Sequence, residues 1–383
     1  MSLRWAQTKL TRRRIVYPYG KDNQKVMDQP AMRVYIQYDR KMDVTSWAES
    51  YQAGTVPDEM PYGLHHLREC GWEPSFRHAR SSTILTRAMK PVESRLGLDV
   101  AALVEEKRKR RQADVVFSWN EGVGFPTAWG PRVREPPSVT GCIWATDQAM
   151  PSLMERVIRH SLRRSAGVVL LSSGQLPRIL EMGVERDRAH VVSMGVDSDR
   201  FVPLAGDPTP SMVMSAGNDQ HQDWATLARA MKIVRSREKG ASLTVLSQRA
   251  PDFDLPDIVR RNHATLPEIR TAYGQASVVA IASHANLHAS GVTVCLEAMA
   301  MARPVIISNT PGIETYVVDG ETGILVPPGD HQALADALLR LLRHPEVARQ
   351  MGLQGRERVL SRFTTRHQAA ALAEVFFSVA SDD

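Results

Sequence analysis

The 383-residue sequence has few of the features that mark secreted and membrane proteins. Only three cysteines occur, Cys70, Cys142 and Cys295, and their wide spacing in apolar contexts predicts reduced core side chains rather than disulfides or a metal site. No run of eighteen apolar residues is present, so we expect no transmembrane helix. The first five residues lack the apolar stretch of a signal peptide. These absences lead us to expect a cytoplasmic protein.

Several common nucleotide-binding and hydrolytic motifs are also missing. No Walker loop and no Gly-x-Gly-x-x-Gly follows the early apolar runs, which argues against an ATPase or a nicotinamide-dependent enzyme. No Gly-x-Ser-x-Gly elbow occurs, which argues against a hydrolase triad. The function must therefore be sought in other motifs.

Charge is the first feature that is present. The formal net charge is +6, and the densest basic run is Lys107–Arg111. This run could be the solvated end of a helix, where cations meet the negative end of the dipole. It could also make a peripheral contact with the anionic headgroups of a membrane. No nucleic-acid recognition motif accompanies the charge, so we expect no nucleic-acid partner.

Apolar runs alternate with helical segments in two sets, which predicts an α/β fold with two parallel, doubly wound sheets. The Pro/Gly-rich residues 201–210 separate the two sets and predict a domain linker. The expected strands are Met32–Ile36, Val115–Ser118, Gly141–Ala145, Gly167–Leu171 and His190–Ser193, followed by Ser211–Ser215, Leu243–Leu246, Val278–Ala282, Val305–Ile307 and Ile324–Val326. The expected helices include one from Tyr62, one over Trp224–Arg235, one from about Asp330 and one over Thr364–Ala380.

The most informative local sequence is residues 290–304. Gly291 can adopt backbone angles closed to other residues, Thr293 is a plausible helix cap, and Pro304 ends the helix that follows. A helix N-terminus opened by a glycine turn is a ready site for phosphate. Glu297 lies about one turn inside, where its carboxylate could accept hydrogen bonds from ribose or sugar hydroxyls. The alternative is an ordinary helix between two strands with a solvated glutamate.

Further motifs follow this helix, in residues 311–314 and residues 318–330. Together with Leu296–Ala300, they resemble the C-terminal half of the family 4 glycosyltransferases, which have the GT-B fold. The motifs occur in the family's order and spacing from Met212 to Phe376, and more weakly through the N-terminal half.

The resemblance implies two Rossmann-like domains that face each other across a cleft. We expect an acceptor-side domain over residues 1–205, a nucleotide-sugar-binding domain over residues 206–363 and a helix over residues 364–383 that crosses back to the first domain. The implied activity moves a hexose-type sugar, with retention, from a nucleotide-diphosphate donor to a hydroxyl of a glycan, a lipid-linked sugar or a small molecule. A UDP- or GDP-sugar is the favoured donor, and no metal or bound cofactor is expected.

By the same resemblance, Glu297 is the second glutamate of a Glu-x7-Glu pair and holds the donor's ribose hydroxyls. The first glutamate falls at Ala289, as in a branch of the family with Ala-Ser-Gly here, so one expected sugar contact is lost. Relatives also place an arginine and a lysine against the diphosphate, where this chain has Asn218 and Gln222. Arg249 is the nearest candidate to replace them, and a solvated loop arginine is the alternative. The residues expected to bind the donor are Gly63, Gly217, Arg249, Ser290, Gly291, Val292, Thr293, Val294 and Glu297.

On the other side of the cleft, Asn120, Glu121 and Asp147 follow predicted strands and could bind acceptor hydroxyls. We therefore expect Glu121 and Asp147 to act in catalysis together with Glu297. Relatives often carry a sugar-contacting histidine near Thr146, which is missing here. His288 is expected to point away from the sugar. The adjacent His65 and His66 are expected to pack rather than to bind a metal.

The departures at the sugar and diphosphate positions leave other interpretations open. One is a non-catalytic GT-B scaffold or binding subunit that has lost its sugar site. Another is a sugar phosphorylase, which orthophosphate would stimulate.

Overall fold

The computed structural model describes residues 31–38, 42, 44, 46–76, 107–124, 135–147, 152–251 and 258–381. These residues form two six-stranded sheets with helices between the strands, and every strand pair is parallel. The predicted α/β class with two doubly wound sheets is confirmed. Most central strands are buried along their whole length, as parallel sheets covered on both faces require.

The first sheet has the order β2-β1-β3-β4-β5-β6. Its strands are β1 (Met32–Gln37), β2 (Trp72–Phe76), β3 (Val115–Ser118), β4 (Ser138–Cys142), β5 (Gly167–Leu170) and β6 (Ala189–Val191). The predictions for β4 and β6 were shifted towards the C-terminus. The sheet begins β4 at the polar residue Ser138 and β6 at Ala189, and both residues form ladder pairs that the apolar pattern alone does not reveal.

The second sheet has the order β12-β11-β10-β7-β8-β9. Its strands are β7 (Met212–Ala216), β8 (Ser242–Leu246), β9 (Ile258–Arg261), β10 (Val278–Ile281), β11 (Val305–Ser308) and β12 (Ile324–Val326). The edge strands β2 and β9 were missed by the sequence analysis. Pro74 interrupts the strand pattern of β2, and proline is tolerated there because β2 lies at a sheet edge.

The helices join the strands and cover both sheets. They are Trp47–Gln52, Lys107–Arg111, Ser152–Arg164, Leu176–Glu181, Trp224–Arg237, Leu266–Gln275, Val292–Ala300, His331–Arg343, Pro345–Arg362 and Thr365–Ala380. Short 3-10 segments lie at Pro61–Cys70, Ser173–Gln175, Arg186–Arg188 and Ile313–Thr315. Across the described parts of the chain, no helix combines the length and low charge that a bilayer span needs.

Two predicted helix starts have clear caps. The side chain of Asp330 accepts the backbone N–H groups of Gln332 and Ala333, and Thr364 caps the helix Thr365–Ala380. The predicted helix from Tyr62 is instead the 3-10 segment, in which Tyr62 and Gly63 have positive φ angles of 60° and 68°.

The helix Thr365–Ala380 packs on the first sheet although it follows the second sheet in sequence. Phe376 lies 5.5 Å from Trp72 and 5.3 Å from Phe117, measured between ring centroids. The side chain of Gln368 also accepts the backbone N–H of Gly195 at 2.9 Å. The two boundaries predicted between the three segments stay a prediction.

A second link between the two halves runs through Tyr316, in the loop between β11 and β12. Its hydroxyl accepts the N–H of Met194 at 2.9 Å and donates to the carbonyl of Leu171 at 2.7 Å. Nearby, the Ser172 hydroxyl donates to the carbonyl of Pro311 at 3.0 Å. These bonds fix one end of the second half against the carboxyl end of β5.

The basic run forms the helix Lys107–Arg111, which is partly neutralised. The guanidinium groups of Arg110 and Arg111 lie 3.0 and 2.8 Å from the carboxylate of Glu135. Arg110 is buried, while Arg108 and Lys109 are exposed.

Candidate functional site

Gly291 opens the helix Val292–Ala300 behind the carboxyl end of β10. It is the N-cap residue with φ of 86°, and a Cβ at this position would overlap the side chain of Ile281. The predicted cap at Thr293 is therefore wrong, because Thr293 lies exposed within the first turn. The first backbone N–H groups of a helix have no intrahelical acceptor, so this end can receive an anion.

Glu297 projects from the same helix and is half-buried. The hydroxyl of Tyr273, in the helix Leu266–Gln275, donates a hydrogen bond to Glu297 Oε2 at 2.7 Å. Burial raises the pKa of the Glu297 carboxyl to about 7, and the Tyr273 hydrogen bond only partly offsets this. The other oxygen of Glu297 can accept hydrogen bonds from a ligand hydroxyl.

The charge of Glu297 also acts on a second carboxyl, that of Asp58. Asp58 belongs to the first half of the chain and is 5% exposed. Burial, followed by the charges of Asp197 and Glu297, raises its pKa to about 8. Within the described residues its Oδ1 has no hydrogen-bond partner. Acidic groups of both halves thus face each other beside the helix Val292–Ala300.

Buried polar atoms without partners gather at the carboxyl edge of the second sheet. Gln222 Oε1, Ser283 Oγ and Thr310 Oγ1 follow β7, β10 and β11 and find no partner among the residues described. Such atoms are rare in folded proteins and need an explanation. Ligands of open α/β sheets bind at this edge, so a polar ligand would supply the missing partners.

His288 joins the two halves at the same edge. Its Nδ1 lies 2.6 Å from Asp147 Oδ2, and its Nε2 lies 3.0 Å from Asp219 Oδ2. Asp147 also accepts the backbone N–H of Leu287. Burial opposes ionisation of His288, but the hydrogen bonds to the two carboxylates outweigh it and raise the pKa of His288 to about 9.

The loop after β7 supplies Asp219 and His221. Asp219 Oδ1 accepts the backbone N–H of His221 at 2.8 Å and lies 3.2 Å from His221 Nδ1. Burial disfavours the charged carboxylate, but the hydrogen bonds of His288 and His221 hold the pKa of Asp219 well below its usual range. The rings of His221 and His288 meet edge to face at 5.0 Å.

The amides at the expected cation positions each hydrogen-bond to the backbone of the loops at this edge. Asn218 Oδ1 accepts the N–H of Gln248 at 2.7 Å, and the side-chain nitrogen of Gln222 donates to the carbonyl of Ala216. Gly217 has φ of 118° and leaves room for the Gln222 side chain. Arg249 is exposed on the neighbouring loop, where its backbone N–H donates to Ser247 Oγ.

Residues 210–344 match the family model described as glycosyl transferases group 1. This stretch contains the helix Val292–Ala300, Glu297 and the loop after β7. Residues 210–344 therefore form a group 1 glycosyltransferase domain. The resemblance inferred from the sequence and the predicted enzyme class are confirmed at the level of this domain, while the individual motif assignments stay predictions.

Curated relatives of the group 1 domain carry several names. The chain is 28% identical over 262 residues to an alpha-maltose-1-phosphate synthase of Mycolicibacterium smegmatis, covering 59% of this chain and 66% of that protein. It is 29% identical to a D-inositol 3-phosphate glycosyltransferase of Saccharomonospora viridis, over 50% of each protein. The matched segments thus span about two thirds and one half of these relatives' lengths.

Solved structures confirm the predicted GT-B fold around the group 1 domain. Sucrose-phosphate synthase from Thermosynechococcus elongatus superposes with a TM-score of 0.66, at 17% identity, over 92% of this chain and 100% of that one. HepE of Anabaena in complex with UDP-glucose superposes with a TM-score of 0.65, at 13% identity, over 91% and 100%. Likeness at these identities concerns the fold alone.

All three residues predicted to bind the acceptor have other partners. Glu121 is buried, and its two oxygens accept the backbone N–H groups of Ile143 at 2.9 Å and Trp144 at 2.8 Å. Burial raises the pKa of Glu121. Its carboxylate therefore holds the loop after β4, which corrects the expected contact with acceptor hydroxyls. Asp147 is committed to His288, and Asn120 accepts the N–H of Val123 at 3.1 Å.

Gly63 also differs from its expected role. It is buried, and a Cβ at this position would overlap the side chain of Thr365. The close approach that this glycine permits is therefore to the helix Thr365–Ala380. His66 pairs with Glu69 at 2.8 Å, as expected for a packing role.

The sequence analysis missed His288, which it expected to point away from the site. Ala289 has φ of 56° and is fully buried, and the polar side chain beside it belongs to His288. His288 also hydrogen-bonds to Asp147. Asp147 follows Thr146, near which relatives often carry a sugar-contacting histidine that this chain lacks. The Asp-x-His spacing of Asp219 and His221 was the one available signal.

Proposed function

We propose that the chain is a glycosyltransferase that moves a hexose-type sugar from a nucleotide-diphosphate donor to a hydroxyl acceptor. The observation that carries this proposal is the helix Val292–Ala300. It combines a glycine-opened N-terminus with Glu297, at the carboxyl edge of the sheet in a group 1 glycosyltransferase domain. The diphosphate would lie at the helix N-terminus, and the ribose hydroxyls would donate to Glu297.

The relatives support this donor class. The curated relatives are named an alpha-maltose-1-phosphate synthase and a D-inositol 3-phosphate glycosyltransferase, and the Anabaena structure contains UDP-glucose. UDP- and GDP-sugars are therefore the first donors to test. The proposed acceptor is a hydroxyl of a glycan, a lipid-linked sugar or a small molecule.

The proposed chemistry retains the anomeric configuration. Glu121 is occupied by backbone N–H groups and Asp147 by His288 and Leu287, so neither carboxylate is placed as a base for the acceptor. The donor phosphate would then take the proton of the acceptor hydroxyl. The helix N-terminus would stabilise the charge that develops on the leaving diphosphate.

A thermal-shift screen with UDP-, GDP-, ADP- and dTDP-linked sugars tests the donor class. A donor present at a hundred times its dissociation constant should stabilise the folded protein by about 2.7 kcal/mol. Failure of all four nucleotide classes to shift the melting temperature contradicts the proposal.

A non-catalytic binding subunit is the second candidate, because Asn218 and Gln222 replace the expected cations with structural amides. Turnover of the stabilising donor separates the two functions. Release of nucleoside diphosphate in the presence of a panel of hydroxyl acceptors supports the transferase. Donor binding without any release, with water and with every acceptor, favours the binding subunit.

We also propose a peripheral membrane contact through Lys107–Arg111. Arg108, Lys109 and Arg111 are exposed in this helix, although Arg111 pairs with Glu135. Flotation with phosphatidylserine vesicles, compared with phosphatidylcholine vesicles, tests the contact. Equal recovery with both vesicles contradicts it.

A further inference from the structure

The geometry points to a divalent metal site made by Asp219, His221 and His288. One ligand atom of each residue lies within 4.8 Å of the other two. Asp219 Oδ1 lies 3.2 Å from His221 Nδ1, and Asp219 Oδ2 lies 3.0 Å from His288 Nε2. Adjacent ligands of a tetrahedral ion with bonds of about 2.0–2.1 Å are separated by about 3.3 Å, which side-chain rotation can reach from here.

Local structure holds each ligand in place. Asp219 and His221 share the short loop after β7, and the bond from the His221 N–H to Asp219 Oδ1 fixes their relative position. His288 comes from the segment before the helix Val292–Ala300 and is 4% exposed. The sheet brings both loops to the same edge, because β7 and β10 are neighbouring parallel strands.

Asp147 orients His288 in the way that carboxylates orient metal-bound histidines. A metal would displace the proton of His288 Nε2 to solvent, while Nδ1 keeps its proton and donates it to Asp147 Oδ2 at 2.6 Å. The freed lone pair of Nε2 then points towards Asp219 and the metal. The side chain of Asp147 is 3% exposed, so this partner is fixed. Asp147 thus acts as a positioning residue for the site.

The donor set selects the class of ion. Two imidazole nitrogens and one carboxylate favour Zn²⁺ over Mg²⁺, which prefers oxygen ligands in octahedral geometry. Three protein ligands leave a fourth tetrahedral position for water or a ligand oxygen. The side chains of His221 and Asp219 are 17% and 23% exposed, so this position is accessible from solvent.

The ion would supply positive charge beside Asn218 and Gln222, where relatives carry an arginine and a lysine. Asp219 and His221 lie on the same loop as Asn218 and Gln222, which stand at the expected positions of two diphosphate-binding cations. A zinc ion with an open position can bind a diphosphate oxygen directly. This step rests on the proposed function, whereas metal binding itself does not.

Cobalt titration of the chelator-treated protein tests the site. We expect one Co²⁺ per chain, visible absorption bands typical of tetrahedral nitrogen and oxygen ligands, and their loss on addition of one equivalent of Zn²⁺. His221→Asn and Asp219→Asn should abolish the bands, and Asp147→Asn should weaken cobalt binding about 10–100-fold. Absence of the bands in the wild-type protein overturns the site.

His284→Asn is the matched control. His284 lies close to the cluster, but its ring is 61% exposed and faces Asp223 rather than Asp219. We expect this variant to bind Co²⁺ as the wild type does. Equal binding by His221→Asn, folded as judged by circular dichroism, assigns the metal to other residues and overturns the proposal.

Binding of UDP separates the metal site from its role in donor binding. Zinc should raise the affinity of the wild-type protein for UDP but not for uridine, and it should have no effect on His221→Asn. Cobalt bands without a change in UDP affinity overturn the diphosphate role and leave the metal site standing. A donor shift in the thermal screen without cobalt bands overturns the metal site and leaves the proposed function standing.

Discussion

Glu297 illustrates how one residue can serve a ligand at the expense of stability. The helix holds it half-buried beside Tyr273, and this environment raises its pKa to about 7. A water-exposed carboxyl would ionise far below this pH. The folded protein therefore keeps a poorly solvated acceptor that a donor's hydroxyl groups can satisfy.

Glu297→Gln should weaken binding of the stabilising nucleotide-sugar by a factor of ten or more. The amide is nearly isosteric, but it replaces a charged acceptor, and hydrogen bonds to charged groups contribute about 1.5–3 kcal/mol. Isothermal titration calorimetry measures the change. Glu357→Gln, on the exposed face of the helix Pro345–Arg362, is the control and should bind normally. Unchanged affinity in Glu297→Gln contradicts the ribose assignment.

The same substitution should stabilise the ligand-free protein at alkaline pH. With an ordinary pKa near 4.5 when unfolded and about 7 when folded, Glu297 binds more protons in the folded state between these values. The free energy of unfolding therefore falls as pH rises from about 4.5 to 7. The hydrogen bond from Tyr273 lowers the pKa of Glu297, but burial outweighs it. The charge of Glu297 also raises the pKa of Asp58, so Asp58 changes stability with pH in the same direction.

Urea unfolding at pH 5 and pH 8 measures this effect. We expect Glu297→Gln to exceed the wild type by about 1–3 kcal/mol at pH 8 and to differ less at pH 5, since one pKa unit corresponds to 1.36 kcal/mol. An equal loss of stability at both pH values would show that the carboxylate has a structural role instead.

Among individual residues, the sequence predicted those of the site that stand in a local motif and missed those that depend on distant contacts. Glu297 and Gly291 were found because they stand in a local motif. His288 and Glu121 were misassigned because their partners depend on contacts between distant segments: His288 meets Asp147, 141 residues earlier, and Glu121 holds a loop 22 residues later. The direction of a side chain in a loop, such as that of His288, cannot be predicted from the residue type alone.

At the scale of the element, the start of the helix Val292–Ala300 depends on the absence of one side chain. The φ of Gly291 lies in the left-handed region, and the space where a Cβ would lie is filled by Ile281 of β10. The helix end is thereby pressed against the sheet edge at which the donor is proposed to bind.

Gly291→Ala should destabilise the protein more than Gly320→Ala does. Both glycines have similar positive φ angles, 86° and 77°, but nothing lies within 4 Å of a Cβ at Gly320. Gly320→Ala should therefore lower the free energy of unfolding only by the cost of a left-handed backbone, about 1–2 kcal/mol. Chemical unfolding of both variants gives the comparison, and equal losses would mean that the contact with Ile281 relaxes at no cost.

Elements were predicted well where burial produces continuous apolar runs, as in β3, β10 and β11. The edge strands β2 and β9 were missed because an edge strand carries polar residues and tolerates proline. The 3-10 segment Pro61–Cys70 was taken for a helix, because its left-handed residues depend on tertiary contacts: Gly63 packs against Thr365 and Tyr62 stacks on Trp119. Tertiary contacts override local preference at these places.

At the scale of the whole molecule, the two halves of the chain are joined by hydrogen bonds as well as by the helix Thr365–Ala380. Tyr316 hydrogen-bonds to the backbone of Met194 and Leu171, and it is fully buried. A single phenol thus satisfies two backbone groups of the first half of the chain.

Tyr316→Phe should lower the free energy of unfolding by about 1–3 kcal/mol. The buried N–H of Met194 and carbonyl of Leu171 would lose this partner, and unsatisfied buried polar groups carry a cost of that size. Urea unfolding measures the loss. Ser361→Ala removes a hydroxyl that bonds only within its own exposed turn, to Arg358, and should change stability little. Equal effects of the two substitutions would show that the bonds of Tyr316 are replaced by water.

The path of the helix Thr365–Ala380 has a consequence for biosynthesis. Trp72 and Phe117 are covered by Phe376, which leaves the ribosome about 260 to 300 residues later. The second sheet can fold while it is still attached to the ribosome, but the first keeps an open apolar face until this helix emerges. During translation, the half of the chain made first is therefore the half completed last, and it is the half that chaperones would need to shield.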